Sequence, residues 1–282
     1  RLSAESTGYA QYSESYAYDI TDRMVSRSRT EADETVETVY SYDQNGNLIR
    51  SESEGKATTR SYNAFGEQMS YAWEGLKLWY RYRPDGLRHS KEKVGGGAPG
   101  VVTHLWDGQE IAAELSGSGT VSAVYIRGNG ELICQQIGEN RSYYLHNAHG
   151  DVTERLDENG TLLKRYRYDS FGNILNPAAL GDPGEPIYVD QNPFGYCGEY
   201  LDRETQEIYL RARYYDSAAG RFNCEDPKRD GGNWYSYCGA DPVNRTDPTG
   251  TSWLGDLWDG VKNGAKNVFR QIVSAVKKVF SG

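Results

Sequence analysis

The stretch "YDQNG" at Tyr42–Gly46 belongs to a phrase that recurs along the chain and determines its fold. It returns as "YNAFG" at Tyr62–Gly66 and as "YRPDG" at Tyr82–Gly86, with the tyrosines twenty residues apart. Stretches such as "TVETVYSY" alternate apolar and polar residues before a phrase, which is the period of a β-strand. Asn and Gly accept the positive φ angles that tight hairpin turns require. Each phrase therefore predicts the end of a strand followed by a turn.

The same pattern continues further along the chain. "HNAHG" at His146–Gly150 and "YDSFG" at Tyr168–Gly172 repeat it, and "LDENG" ends between them. A period near twenty residues is the length of one two-stranded hairpin, and such repeats form arrays in which each unit pairs with its neighbours. We therefore predict a mainly β fold, a long antiparallel hairpin array over residues 9–225. Its turns are expected at Gly46, Gly66, Gly86, Gly160 and Gly172.

The composition agrees with a β structure that has wet faces. The 282 residues can bury a sizeable core, yet the mean hydropathy is -0.76 and the aromatic residues include 23 tyrosines. A net charge of -9 argues against general nucleic-acid binding by the body of the chain, because phosphate contacts need clustered Lys and Arg. The four cysteines show no CxxC spacing and are predicted to be free, packed thiols.

Residues 251–282 follow a different pattern. Apolar residues recur there at spacings of three and four, and five basic residues stand against two acidic ones. This predicts a short amphipathic helix at the C terminus. A cationic helix of this kind can contact an anionic membrane, can be held by the rest of the chain, or can begin a larger domain. The chain opens within the strand pattern and without Met, so we expect it to be a piece of a longer protein.

Two longer motifs resemble a known family. The phrase Y-D-x-x-G-N-L at Tyr42–Leu48 resembles the YD repeat of bacterial Rhs proteins, of Tc toxin C subunits and of teneurins. "FGYCGEYLDRETQEIYLRARYYDSAAGRFNCEDP" (Phe194–Pro227) and "NWYSYCGADPVNRTDPTG" (Asn233–Gly250) resemble the Rhs repeat-associated core domain. The resemblance divides the chain into a YD-repeat shell over 1–190, a core domain over 191–250 and a variable tail over 251–282.

The resemblance implies a hollow β shell that encloses and presents a C-terminal effector segment of the same chain. Such proteins are secreted or cell-surface toxins of bacterial competition, and an immunity protein is an expected partner. The "RARYYD" strand would form a wall segment near the plug of the shell, where Arg211, Arg213 and Arg221 pair with carboxylates. The alternatives are a cell-surface adhesion or carbohydrate-binding repeat protein without proteolytic activity, and a scaffold with an inactive protease.

In the family, the core domain often acts as an intramolecular aspartic protease. Hydrolysis by two carboxylates needs one to take a proton from water and the other to protonate the substrate. The positions that match are Asp226 of "NCEDP" and Asp247 of "RTDPTG", with Arg221 as a supporting residue. Asp-Pro pairs are also ordinary turn initiators, and the chain has two more of them, at Asp182 and Asp241. From the residues alone, both interpretations stay open.

The resemblance places the cleavage region at Gly250, Thr251 and Ser252, directly after the DPTG phrase. Family members usually carry Leu after this glycine, whereas this chain carries Thr251. Thr251 therefore replaces an apolar anchor beside the scissile bond, which the resemblance places between Thr251 and Ser252. This departure favours the scaffold with an inactive protease.

Metal and cofactor motifs are weak in the sequence. His146 and His149 lie three residues apart, but no third ligand follows at metal-binding spacing. "HNAHG" also occupies a repeat position, so we interpret it as a turn and expect neither a metal nor a cofactor. No phosphate loop or nucleophile elbow is present in the sequence.

Overall fold

The structure is a computed structural model that describes residues 2–3, 12–175, 191–229 and 231–251. Most of the described chain forms one 16-stranded sheet in which every strand pairs antiparallel with the next one in sequence. The strands of this long sheet are Leu2–Ser3 (β1), Tyr12–Tyr18 (β2), Met24–Glu31 (β3), Glu34–Tyr42 (β4), Leu48–Ser53 (β5), Lys56–Tyr62 (β6), Gln68–Trp73 (β7), Leu76–Tyr82 (β8), Arg88–Val94 (β9), Gly100–Asp107 (β10), Glu110–Ser116 (β11), Val121–Gly128 (β12), Glu131–Ile137 (β13), Asn140–His146 (β14), Val152–Asp157 (β15) and Leu162–Arg165 (β16). The predicted mainly β, antiparallel hairpin array is confirmed.

The repeated phrases form turns held by their own Asp or Asn side chains. In the turn between β4 and β5, Oδ1 of Asp43 accepts hydrogen bonds from the backbone N–H groups of Asn45 and Asn47, each at 2.9 Å. Gly46 closes the turn with a φ of 78°. Asp157 makes the equivalent contacts in the turn between β15 and β16. A short acceptor side chain and a residue tolerant of positive φ are the turn chemistry that the sequence predicts.

At the opposite end of the sheet, two-residue turns connect the strands. Glu54 and Gly55 between β5 and β6 have φ angles of 51° and 74°, and Asn129 and Gly130 between β12 and β13 have 52° and 84°. Two consecutive positive φ angles define the type I′ turn, whose twist matches that of an antiparallel pair. One twenty-residue period is therefore two strands with one turn of each kind.

A second, four-stranded sheet packs against the long one. It consists of Tyr200–Asp202 (β17), Glu207–Leu210 (β18), Arg213–Asp216 (β19) and Arg221–Phe222 (β20), all antiparallel. Single 3₁₀ turns at Tyr196–Gly198 and Cys238–Ala240 flank it. Tyr209 and Tyr214 of this sheet share a buried cluster with Leu78 and Tyr80 of β8. Aromatic side chains therefore supply much of the apolar area between the two sheets.

Buried ion pairs also join the two sheets. Arg88 of β9 contacts Asp202 at 2.5 Å, and Lys91 contacts the other oxygen of that carboxylate at 3.1 Å. Burial disfavours the charged form of Asp202, but Arg88 and Lys91 outweigh it and lower the pKa to about 2. Arg60 of β6 pairs with Glu207 of β18 at 2.7 Å. In these contacts the long sheet contributes the cations and the small sheet the carboxylates.

The "RARYYD" stretch lies in the small sheet, so the expectation that it forms part of the wall is wrong. Arg211 pairs with Glu110 of β11 and with Glu199, as expected of an arginine among carboxylates. The φ of Arg211 is 60°, which interrupts the strand and separates β18 from β19. The alternation therefore does not run through the stretch as a single strand, and Tyr214 and Tyr215 are both fully buried in β19.

All four cysteines are free, as predicted. Within the described residues, no helix is long and apolar enough to cross a bilayer. The predicted amphipathic helix of the tail, residues 252–282, lies outside the described residues.

Candidate active site at the DPTG phrase

The two candidate catalytic carboxylates are buried on loops that follow the small sheet. Asp226 is 5% exposed, and its Oδ1 accepts a hydrogen bond from the N–H of Lys228 at 2.8 Å. Its own N–H donates to the carbonyl of Trp234 at 3.0 Å, which fixes the loop after β20. Asp247 is 3% exposed and begins the turn that ends at Gly250. Both side chains are therefore held in an interior position.

Arg213 of β19 brings the two carboxylates together. Its Nη2 lies 3.8 Å from Oδ2 of Asp226 and 3.8 Å from Oδ2 of Asp247, so these two oxygens are no farther apart than twice that distance. The guanidinium carbon lies 3.5 Å from the centre of the Phe222 ring, and Nη1 donates to the carbonyl of Trp234 at 2.8 Å. Burial lowers the pKa of Arg213, and the neighbouring carboxylates oppose that effect.

The same groups bind the peptide bond between Gly250 and Thr251 at both ends. Nε of Arg213 donates to the carbonyl oxygen of Gly250. The N–H of Thr251 donates to Oδ1 of Asp247 at 3.2 Å, and the hydroxyl of Thr249 also reaches that oxygen, at 3.3 Å. Thr251 is only 8% exposed. One peptide group is thus placed between an arginine and an aspartate in a buried site.

Glycine is required at position 250 for two reasons. Its φ is 69°, in the left-handed region that side chains disfavour. A Cβ there would lie 2.4 Å from the carbonyl oxygen of Leu210 and 3.1 Å from the backbone nitrogen of Arg213. The DPTG turn therefore packs directly against the backbone between β18 and β19, and this contact brings its carbonyl to Arg213.

The structure brings Asp226, Asp247, Gly250 and Thr251 together, whereas Ser252 lies outside the described residues. Arg221 lies elsewhere. Its guanidinium donates to the carbonyl of Asp22 and packs against the rings of Tyr18 and Tyr235. Arg221 therefore joins the small sheet to the first strands of the long sheet.

Arg213 occupies the position in which the sequence analysis expected Arg221. Its Nε donates to the carbonyl of the Gly250–Thr251 peptide, whose N–H donates to Asp247. A signal for it exists in the sequence, because Arg213 opens the buried "RYYD" strand while Arg221 opens a two-residue strand. That signal identifies a buried arginine but not its partners.

The arrangement places acidic groups and a cation beside one peptide bond. Two carboxylates lie near one nitrogen of the Arg213 guanidinium, and the guanidinium contacts a carbonyl oxygen on which negative charge would develop during attack by water. Aspartic dyads divide their work between a base and an acid. The buried position excludes bulk water, which strengthens each of these charged contacts.

The comparisons with known proteins agree with the fold. The family model of the teneurin YD-shell matches residues 106–230. The tRNA3(Ser)-specific nuclease WapA of Bacillus spizizenii is 31% identical over 227 residues, which is 74% of this chain and 9% of the relative. The toxin protein Tse5 of Pseudomonas aeruginosa is 27% identical over 253 residues, covering 75% of this chain and 18% of the relative. The chain thus spans less than a fifth of the length of either protein.

Solved structures give the same architecture. The crystal structure of TcdB2-TccC3 without hypervariable C-terminal region matches with a TM-score of 0.53 at 17% identity, over 84% of this chain and 15% of that one. This likeness defines the class, a β shell built from YD-repeat hairpins. The chain belongs to the Rhs/YD-repeat shell proteins, and its shell is of the kind found in bacterial toxins.

Proposed function

We propose that the chain is the C-terminal shell part of an Rhs-type toxin, which encloses and presents its own C-terminal segment and releases it by self-cleavage after the DPTG phrase. The observation that carries the proposal is the Gly250–Thr251 peptide, which Arg213 holds at its carbonyl and Asp247 at its N–H. Asp226 lies on the same guanidinium. The tail begins directly after this site.

The geometry supports a definite division of roles. Asp226 accepts a proton from a water molecule as the water oxygen attacks the carbonyl carbon of Gly250. Arg213 stabilises the negative charge that develops on the carbonyl oxygen. Asp247 begins the step protonated on Oδ2, since its Oδ1 accepts from the Thr251 N–H, and it donates that proton to the Thr251 nitrogen as the C–N bond breaks. One carboxyl group gains a proton and the other loses one, so the pair ends with the protons it began with.

The intact mass of the purified 282-residue chain tests self-cleavage. We expect a body ending at Gly250 and a tail beginning at Thr251, and a tail beginning at Ser252 would move the cleavage to the bond that the family resemblance implies. The variant Asp226→Asn should keep the full mass. Asp241→Asn is the matched control, because Asp241 also precedes a proline but lies on the surface, where it pairs with Arg245 and bonds Asn244.

Two results would contradict the proposal. A folded wild-type chain that keeps its full mass would favour the scaffold with an inactive protease. Cleavage that continues in Asp226→Asn would exclude the pair of carboxylates as its cause. Circular dichroism of each variant establishes that the β fold is retained.

Enclosure of the tail and its later action are further parts of the proposal. If the shell holds the cleaved tail, residues 251–282 should elute with the body in size-exclusion chromatography and separate only in denaturant. Freed from the body, the cationic apolar stripe of the tail is expected to bind a membrane surface. A synthetic 252–282 peptide should become helical on vesicles that contain anionic lipid and bind neutral vesicles more weakly. Indifference to both vesicles would remove the membrane role.

The immunity protein and the route of secretion or surface display belong to the same proposal. They are supported by the likeness to toxin relatives in bacteria. Coexpression with a neighbouring open reading frame from the source genome, followed by purification, would recover an immunity protein if it binds this part of the chain.

A further inference from the structure

A cluster of three side chains lies away from the cleavage site, where the turn between β14 and β15 meets the loop before β17. Nδ1 of His149 lies 2.9 Å from Oδ1 of Asp151 and 3.7 Å from Sγ of Cys197. All three ligand atoms lie within 4.8 Å of one another. The spacing of His146 and His149 offers no third ligand, but the fold brings one from 48 residues away.

We propose that His149, Asp151 and Cys197 bind a zinc ion that joins the β14–β15 turn to the loop of the core domain. The donor set is one imidazole nitrogen, one carboxylate oxygen and one sulfur. Thiolate and imidazole favour zinc over magnesium or calcium, which prefer oxygen ligands alone. A tetrahedral zinc ion would take its fourth ligand from water, since His149 is only partly buried.

The distances suit a zinc ion between the side chains. With usual bond lengths of about 2.3 Å to sulfur and 2.05 Å to nitrogen, the 3.7 Å separation of Cys197 and His149 gives an angle of about 115° at the metal, near the tetrahedral value. The His149–Asp151 pair is closer, at hydrogen-bond distance. Metal binding would replace that hydrogen bond and increase the distance between Nδ1 of His149 and Oδ1 of Asp151 by about 0.5 Å. Rotation of the two side chains can supply a shift of this size.

The carboxylate is already oriented by surrounding donors. Oδ1 of Asp151 accepts from the backbone N–H of Cys197 at 2.8 Å, and Oδ2 accepts from the side chain of Asn147 at 2.7 Å. Oδ1 of Asn147 in turn accepts from the N–H groups of His149 and Asp151, each at 3.0 Å. Hydrogen bonds to ligating groups are typical of metal sites, where they fix the direction of the ligand.

The backbone conformation of Cys197 directs its thiol toward the turn. Its φ is 53° and its ψ is 18°, a left-handed conformation. In this conformation the thiol reaches His149 and lies 3.7 Å from the hydroxyl of Tyr237. The turn and the loop are thus joined at the backbone and face each other with ligating atoms.

Cobalt titration of the full chain tests the site directly. The reduced chain, freed of metal with a chelator, should bind one equivalent of Co²⁺ and develop a thiolate-to-cobalt charge-transfer band, which Zn²⁺ then removes. Cys197→Ser should abolish the band and weaken Zn²⁺ binding at least about 100-fold. Cys134→Ser is the matched control, since Cys134 is also a free thiol but lies in β13. His149→Gln against His146→Gln is a second matched pair.

A measurement on the wild-type chain covers the case in which a variant fails to fold. Zn²⁺ should protect Cys197 from alkylation, while the labelling of the other three cysteines stays the same, as mapped by peptide mass spectrometry. Absence of the cobalt band, equal Zn²⁺ affinity in Cys197→Ser and the wild type, or unchanged alkylation of Cys197 would each overturn the proposal. The site is separate from the DPTG turn, so a failure here leaves the proposed cleavage as it stands.

Discussion

Replacing Asp202 tests whether buried ion pairs, as well as apolar contacts, hold the two sheets together. The carboxylate lies between Arg88 and Lys91, and neither Asp202 nor Arg88 exposes its side chain to solvent. In Asp202→Asn the positive charge of Arg88 stays buried without its anionic partner. Two further nitrogens of Arg88, Nε and Nη2, already have no hydrogen-bond partner among the described residues.

The magnitude follows from the pKa of Asp202. Its fall from 3.8 to about 2 corresponds to about 2.5 kcal/mol in favour of the folded state above the unfolded pKa. Because Asp202→Asn also leaves Arg88 without a partner, we expect it to lower the free energy of unfolding by about 3–5 kcal/mol at pH 7. The four tyrosine rings around Arg88 retain part of its stabilisation, so the lower end of this range is expected.

Urea unfolding at several pH values measures the effect. Because the folded pKa is lowered, the stabilisation is complete above pH 4 to 5 and is lost as the pH falls toward 2. The difference in free energy of unfolding between the wild type and Asp202→Asn should therefore be smaller at pH 3, where about half of the 2.5 kcal/mol of stabilisation is lost. Glu204→Gln is the control, because Glu204 shares Lys91 at 2.7 Å but is partly exposed, and it should cost less than about 1 kcal/mol.

A cost below about 1 kcal/mol for Asp202→Asn, or a gap that stays constant from pH 7 to pH 3, would refute this reasoning. The first result would mean that water or a rearranged side chain replaces the carboxylate. The second would mean that Asp202 titrates alike in the folded and unfolded chains.

Three more substitutions have expected outcomes. Gly250→Ala should displace the DPTG turn, because its Cβ would meet the backbone of Leu210 and of Arg213. The intact mass should then show no cleavage, in a chain that still unfolds cooperatively. Gly46→Ala should lower the urea midpoint much more than Gly55→Ala. Both glycines have a positive φ, but only a Cβ at position 46 would meet a side chain, that of Glu225 at 2.4 Å. Equal urea midpoints for the two variants would contradict this packing argument. Tyr209→Phe removes the acceptor of the Arg88 N–H at 2.8 Å and should cost about 1–3 kcal/mol in the same assay, whereas a neutral result would mean that another acceptor takes its place.

The long sheet could be predicted from the sequence because its information is local. The turns after Tyr42, Tyr62 and His146 are fixed by an Asp or Asn side chain that accepts from the backbone N–H groups two and four residues later, as Asp43 does. Alternation then fixes the strands between turns. No contact between distant residues is needed to recognise a unit, so the repeat phrase was sufficient.

The side-chain contacts that the core domain makes, with the long sheet and within itself, could not be predicted in the same way. Arg60 meets Glu207 across 147 residues, and Arg213 meets Asp247 only after the chain has turned through two loops. Sequence alternation was also misleading at Arg211, whose positive φ ends one strand and begins another. The resemblance to a family identified Asp226 and Asp247, but only the structure shows that Arg213 contacts both of them. The contact between Cys197 and His149 could not be predicted for the same reason, since the two residues lie on different segments of the chain.

The connectivity of the two sheets has a consequence for the order in which the chain can fold. In the long sheet each strand pairs with its immediate neighbours in sequence, so its contact order is low and pairing can proceed strand by strand as the chain leaves the ribosome. The contacts that cover its inner side come from residues 192–251, up to 199 positions away, as between Arg221 and Asp22. A nascent chain therefore displays its aromatic face uncovered until the last part of the shell is made, and it is in this interval that a chaperone or an aggregate would capture it.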